Sequence, residues 1–394
     1  MLPSTDAEPA ARYFPNLTGL RGIAAAWVVV FHVWHFSGAP PLRFDVGSVA
    51  IDLTPLASCG WFGVDLFFVL SGFLLGLPFL AAASGMRRWP ALVPFWMRRA
   101  RRVLPAYYLQ LVLIVAILWL WRGTPPLAPA QWLAYLSMEF LLYAPTRDLL
   151  NPVWWSLPAE WHFYLILPLL GLLFARARWW LVLALALTWV VTFRLLCVES
   201  ISTGTDRDVY WYTTIMHLPA RIDQFLLGMV AAWWHLRGGL RAARIRRWLL
   251  LSGSLLLAVL LFEMGRRGDV LAQVAMPWML WHYSLVGCAF ALIVYAAAGE
   301  GAVALRLFGG PVLGFLGAIS YSLYLWHVPV LRALVEIDFL QRIGWTGMLA
   351  HTLLPLPPIV IVAWASWRWI ERPWFGSARA GVADRQPAEF AGAQ

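Results

Sequence analysis

About ten stretches of this chain are each long enough and apolar enough to cross a bilayer, which takes ~20 residues as a helix. They run near 17–38, 61–83, 103–121, 155–174, 179–197, 216–236, 247–263, 275–298, 311–335 and 347–370. In hydrocarbon every backbone amide must find its partner within the segment or in a closed barrel, and runs of this length do so as helices. The expected fold is therefore all-α, a polytopic transmembrane bundle of about ten helices. Composition agrees: 61% of residues are hydrophobic and 13% charged, with a mean hydropathy of +0.69. A soluble domain is about a quarter charged. The 26 Trp and 12 Tyr suit the aromatic belts of membrane interfaces. The apolar segment 131–145 is short for a span and reads as an interfacial or re-entrant helix.

The net charge of +10 raises nucleic acid as a partner, but all 30 basic residues are arginines placed mainly in short connections between apolar runs. There they act as orientation signals, which excludes the nucleic-acid reading. The connections 84–102, 175–178 and 237–247 are arginine-rich, whereas the alternate ones, such as that holding 206-DRD-208, mix Arg with Asp and Glu. This bias places both termini in the cytoplasm of a cell whose inner (plasma) membrane holds the chain. Three scattered cysteines, Cys59, Cys197 and Cys288, show neither metal-ligand spacing nor a disulfide framework, so no metal is expected. The N-terminal segment lacks the pattern of a cleaved signal peptide. The organisation expected is a cytoplasmic N-terminal segment at 1–16, one transmembrane domain over 17–372, and a disordered cytoplasmic tail at 373–394.

Ionisable groups inside such a bundle are expensive and mark interior cavities or pathways. Arg21 and His32 share a face of the first helix, because eleven steps at 100° come to about three turns, with about 16 Å of rise between them. His32 reads either as a core histidine bonded to a neighbouring helix or as a titratable base. Asp65 enters an apolar helix and needs a partner, for which His32 or His35 is the candidate. Ser71-Gly72 reads as a small-residue packing point. In 98-RRARR-102, Arg99 and Arg102 share a helix face, as do Arg98 and Arg101. Membrane anchoring explains such clusters, and so does bidentate phosphate binding by paired guanidinium forks. Glu160 follows 151-NPVWWSLPAE, where Ser156 offers an imperfect capping box. Arg221 and Asp223 in RIDQFLLG, His327 in SYSLYLWHVP and Glu371 in ERPW read as structural, the last as an ion pair closing the final helix.

In chain order these segments resemble the acyltransferase 3 family of integral membrane acyltransferases. The resemblance rests on Arg21 and His32 with ten residues between, GVDLFFVLSG at 63–72, RRARRVLP at 98–105, WSLPAE with Phe163-Tyr164, RIDQFLLG, SYSLYLWH and ERP, over about residues 14–375. Pro158 and His162, which flank Glu160, depart from the expected pattern. Some members carry a fused extracytoplasmic hydrolase-like domain, which is not expected in a chain of this length.

The resemblance implies an O-acetyltransferase that moves an acyl group, usually acetyl, from cytoplasmic acyl-CoA to a hydroxyl of an extracytoplasmic or lipid-linked glycan or glycolipid. It implies acetyl-CoA as donor, its phosphates bound by Arg99 and Arg102, with Arg21 further along the path. His32 is then the general base or is itself acylated, and Asp65 or Glu160 orients or neutralises it. The competing expectation is a secondary transporter or exporter, which also buries charges among about ten helices but commonly shows paired halves. No such repeat is visible in the sequence.

Overall fold

The protein is described here by a computed structural model. It describes residues 13–123, 127–142, 150–202, 216–239, 242–267, 278–299, 302–336 and 354–375. The loop with 206-DRD-208, residues 1–12 of the N-terminal segment and the tail from 376 lie outside the described residues.

The described chain is nearly all helix. Helix α1 spans Pro15–Phe36, with a proline at its first position, where a missing N–H is harmless. A hairpin of β1 (Arg43–Val46) and β2 (Val49–Asp52) follows, paired antiparallel with Phe44 opposite Ile51. Then come α2 (Thr54–Ser58), α3 (Gly63–Ala83), α4 (Leu92–Arg122), α5 (Pro129–Ser137), α6 (Ser156–Arg176) and α7 (Trp179–Ser202). The chain continues through α8 (Leu218–Leu236), α9 (Ala243–Arg266), α10 (Met279–Ala297), α11 (Ala302–Phe308), α12 (Pro311–Ala318), α13 (Ser320–Glu336) and α14 (Leu356–Ser366). The last runs into a π-helical turn at Trp367–Glu371.

All ten expected segments hold helix among the described residues. Among the described residues, seven helices are long and apolar enough to cross a membrane, and α12 with α13, bent by 74° at their junction, form an eighth candidate. The protein is thus a multi-pass membrane helix bundle. Helix α8, interrupted by Arg221 and Asp223, and the short α14 are not among the seven. The segment 131–145 yields only α5 and a 3-10 turn at Phe140–Leu142, as its length implies. The expected connection at 84–102 is largely helical instead: α4 starts at Leu92 and runs for 31 residues, about 46 Å. Pro94 falls in its first turn, where proline is tolerated, and arginine is a good helix former, so nothing stops the helix across 98-RRARR-102.

Small residues bring the helix axes together. A Cβ on Gly72 of α3 would lie 2.0 Å from the Phe225 carbonyl oxygen of α8, and one on Gly228 of α8 would lie 2.1 Å from the Val69 oxygen of α3. The two glycines thus let α3 and α8 touch backbone to backbone, a contact that lipid cannot replace. A Cβ on Gly317 would likewise sit 2.0 Å from the Thr18 oxygen, which seats α12 on α1 and fixes where α13 begins.

Prolines place the polar side chains. Pro329 lies inside α13 and has no N–H for the Leu325 carbonyl one turn back. Buried Gln110 and Asn151 fill that vacancy, donating to the Leu325 oxygen at 2.8 and 3.0 Å. The Gln110 oxygen in turn accepts from Trp154 Nε1 at 2.7 Å, which ties the 3-10 turn Pro152–Trp155 to α4 and α13. Pro168 in α6 does the same to the Tyr164 carbonyl, which accepts from Trp96 Nε1 at 3.0 Å. Satisfying such carbonyls from neighbouring helices is obligatory where water is absent.

Gly228→Val should lower the thermal midpoint of the detergent-purified protein, with overpacking costing about 1–3 kcal/mol. Gly314→Ala, whose added Cβ meets nothing within 4 Å, should leave it unchanged; differential scanning fluorimetry reads both.

Candidate active site

Among the described residues, two clusters of ionic side chains lie inside the bundle. The first joins α3, α7, α8 and α10. Arg221 Nη1 donates to Asp65 Oδ1 at 2.9 Å, and Gln224 donates to the same oxygen. Arg194 Nη2 donates to Asp223 Oδ2 at 3.1 Å, and Ser284 donates to that oxygen at 2.5 Å. The Arg221 guanidinium lies 3.6 Å from the centre of the Tyr283 ring. All four ionic side chains are essentially sealed, at 0–2% exposure. Two cations meet two anions, so the centre is neutral and holds four helices in register.

This corrects the expectation for Asp65. Its carboxylate serves Arg221 and Gln224, and it is not a partner of His32 or His35. His35 is exposed and stacks on Phe31. Arg221 and Asp223 are structural, as their sequence suggested, but each pairs across helices.

The second centre begins at the starts of α1 and α13. Arg21 Nη2 donates to Ser320 Oγ at 3.2 Å. Arg21 lies within coulombic range of Arg102, Glu160, Tyr164 and Arg99. Glu160 Oε1 accepts from Tyr164 at 2.5 Å and from Ser71 Oγ at 3.0 Å. Glu371, in the π-helical turn, accepts from Ser322 and lies within coulombic range of Arg102 and Arg21. Three guanidiniums therefore share one end of the bundle with two carboxylates. The alternate pair separates cleanly: Arg98 and Arg101 are exposed, whereas Arg99 and Arg102 are half-buried on the inward face.

A column of rings leads away from the arginines. The Phe67 ring lies 5.9 Å from the Arg21 guanidinium and 6.5 Å from the Tyr324 ring. Tyr324 donates to the Val153 carbonyl, meets Ser156 Oγ at 2.7 Å, and lies 6.0 Å from the His327 ring. His327 Nε2 is 3.2 Å from His32 Nδ1, with ring centres 4.8 Å apart. His32 Nδ1 is also 2.9 Å from the Val28 carbonyl. His32 is half-buried, and its Nε2 makes no hydrogen bond to any described residue.

The structure thus joins Arg21, Arg99, Arg102 and Glu160 at one end and His32 at the other, and leaves Asp65 elsewhere. Glu160 contacts the arginine cluster, and the only ring hydrogen-bonded to His32 among the described residues is His327. Ser156 forms no capping box, because its hydroxyl is turned to Tyr324. Ser71 does more than pack, since it donates to Glu160. Glu371 is not a surface ion pair but is 2% exposed within the bundle. The departures beside Glu160 are accommodated: Pro158 sits in the first turn of α6, and His162 Nε2 meets Glu139 Oε1 at 2.6 Å. Sequence reading missed His327, Tyr164 and Ser320 as parts of this centre. A signal existed: Ser320, Tyr324 and His327 fall at i, i+4 and i+7, a polar stripe in an apolar helix. Among the described residues, no cluster of His, Cys, Asp and Glu is arranged to hold a metal ion.

Asp65→Ala should damage folding rather than chemistry alone. Removing one partner of a buried pair costs about 3–5 kcal/mol, which should appear as lost monodisperse protein on size-exclusion chromatography. Retention of a wild-type elution profile and thermal midpoint would contradict the structural assignment.

A family model described as an acyltransferase domain matches residues 14–368. The chain is 26% identical to the peptidoglycan O-acetyltransferase OatA of Listeria monocytogenes, over 92% of this chain and 56% of that protein. It is 26% identical to a putative peptidoglycan O-acetyltransferase, YrhL, of Bacillus subtilis, over 92% and 55% respectively. It is 22% identical to the O-acetyltransferase OatA of Staphylococcus aureus, over 92% and 57%. The chain therefore spans little more than half the length of these relatives. No solved structure matches it.

Proposed function

Because this chain belongs to the acyltransferase domain family that its match over residues 14–368 defines, we propose that it is an integral membrane O-acetyltransferase whose donor is acetyl-CoA and whose acceptor is a hydroxyl of a cell-envelope glycan. The observation that carries the proposal is the line of contacts from Arg21 through Phe67, Tyr324 and His327 to His32. It links a cluster of guanidiniums to an imidazole whose Nε2 carries no bond to a described residue. The resemblance of this chain to O-acetyltransferases named for peptidoglycan supports a glycan acceptor, with peptidoglycan as the first to test. The transporter reading finds no support among those relatives.

The donor's phosphates engage Arg99 and Arg102 on the inward face of α4. Guanidinium forks suit phosphate oxygens, and Arg is always charged. Glu160 and Glu371 keep these cations partly balanced in lipid when no donor is bound, since an unpaired charge at that depth is costly. The pantetheine arm then follows the ring column. The rise from Arg21 to His32, about 16 Å, equals about half the hydrocarbon thickness and suits an extended arm. The arginine bias of the connections supports a topology with this end of the bundle, and both termini, in the cytoplasm and the chain in the plasma membrane. His32 faces the acceptor in the outer half.

Transfer then proceeds as general base catalysis. His32 Nε2 takes the proton of the acceptor hydroxyl as its oxygen bonds to the acetyl carbonyl carbon. Collapse of the tetrahedral species breaks the carbon–sulfur bond, and the leaving thiolate takes the proton from His32. The products are an O-acetylated acceptor and free CoA thiol, and the ring returns to its neutral state.

His32→Ala should reduce turnover at least about 100-fold, the lower range for a general base, while expression and elution profile stay as in the wild type. The readout is release of CoA thiol from acetyl-CoA by purified protein with peptidoglycan strands. Near-wild-type turnover in that variant would remove His32 from the mechanism.

Arg102→Ala and Arg99→Ala should weaken acetyl-CoA binding by about tenfold, as loss of a charge-assisted hydrogen bond implies. Arg101→Ala, on the exposed face of the same turn, should bind as the wild type does. Equal affinity of all three by microscale thermophoresis would reduce the cluster to membrane anchoring.

A further inference from the structure

We infer that His327 is a positioning residue that makes Nε2 of His32 the basic nitrogen and stabilises the imidazolium that forms there; the inference rests on the proposal that His32 is the base. The assignment starts from two carbonyls. His32 Nδ1 lies 2.9 Å from the Val28 oxygen, and His327 Nδ1 lies 3.0 Å from the Leu323 oxygen. A carbonyl oxygen only accepts, so each Nδ1 carries a hydrogen. A neutral imidazole has one N–H, so each Nε2 is bare.

His327 Nε2 is 3.2 Å from His32 Nδ1. The bare nitrogen of His327 therefore accepts from the N–H of His32, which it shares with the Val28 oxygen. The reverse arrangement, with His327 donating, would set a hydrogen-free Nδ1 of His32 against a carbonyl. The two carbonyls and the second ring together leave one outcome: the lone pair of His32 available for chemistry sits on Nε2.

The pair also answers a problem set by the membrane. A base that takes up a proton becomes a cation, and a cation in lipid needs a partner. A carboxylate is the usual partner for such a histidine, but a carboxylate there would itself be a buried charge in the resting state. His327 is fully buried, and in the tautomer assigned above it carries no charge. Its nitrogen costs no charge at rest and becomes a stronger partner once His32 Nδ1–H belongs to an imidazolium. The gain is therefore larger in the transition state than in the ground state, which raises kcat and leaves donor binding alone. The position of His327 is itself secured, two residues past the Leu325 carbonyl that Gln110 and Asn151 hold.

Two substitutions separate this role from packing. In His327→Gln the side-chain carbonyl can still accept from His32 Nδ1–H, whereas in His327→Leu nothing can. With acetyl-CoA as donor and peptidoglycan strands as acceptor, His327→Leu should lose about 10- to 100-fold in kcat, the range of a hydrogen bond to a charged group. Its KM for acetyl-CoA should be unchanged, and His327→Gln should recover to within a few-fold of wild type. If His327→Gln is as slow as His327→Leu, or if His327→Leu is as fast as wild type, while His32→Ala is inactive, the role of His327 is overturned and the base survives. An active His32→Ala overturns both. The wild-type protein gives a test that needs neither variant to be active. In 15N-histidine-labelled protein in lipid nanodiscs, the His32 signal, identified by its loss in His32→Ala, should report a protonated Nδ1 and a bare Nε2. The opposite tautomer contradicts the inference.

Discussion

A charge inside a bilayer must be answered by another charge or by a closed set of hydrogen bonds, and this bundle answers its charges in two ways. Around Arg221 and Arg194 the answer is a pair of buried ion pairs. Asp65 and Asp223 match the two cations one for one, a glutamine and a serine take further carboxylate positions, and a tyrosine ring covers Arg221. Around Arg21, among the described residues, three guanidiniums and two carboxylates share one end of the bundle, at the mouth of the ring column. In the proposed function a donor phosphate binds there. The first centre joins α3, α7, α8 and α10, and the second, between α1, α4, α6 and α13, is the working half of the proposed function.

Backbone chemistry carries the working half. Pro329 strips α13 of one internal hydrogen bond, and the side chains that repair it come from α4 and from the turn before α6. The repair locks three elements together beside His327. Glycines act in the same way at the level of helix axes. Gly317 lets α12 lie against α1, and the 74° bend after it aims the start of α13 at Arg21. The positions of Ser320, Tyr324 and His327 along one face of α13 then follow from the helix period alone.

Much of this was legible in the sequence. Each apolar run became helix, because in lipid length and hydropathy leave few alternatives. The shared face of Arg21 and His32 also follows from helical spacing, which offered Arg99 with Arg102 and Arg98 with Arg101 as equal pairs; the resemblance pointed to the first, and burial separates them. What could not be read was which helices meet. Asp65 is anionic and near the same depth as His32 in any linear drawing, yet it belongs to Arg221, since Gly72 and Gly228 bring α3 against α8. Glu371 looked like a surface ion pair with Arg372, and it is the π-helical turn that swings it inward to Ser322. Partners 49 and 156 residues apart along the chain are set by packing that no local pattern records.

The central claim is that a donor enters among the arginines and presents its thioester to Nε2 of His32. The most direct measurement is a cryo-electron microscopy structure of the protein in nanodiscs with a non-hydrolysable acetyl-CoA analogue. The account predicts the analogue's phosphates against Arg99 and Arg102, its arm beside Phe67 and Tyr324, and its carbonyl group next to His32. An analogue bound on another face, or one whose carbonyl ends far from that ring, would contradict it.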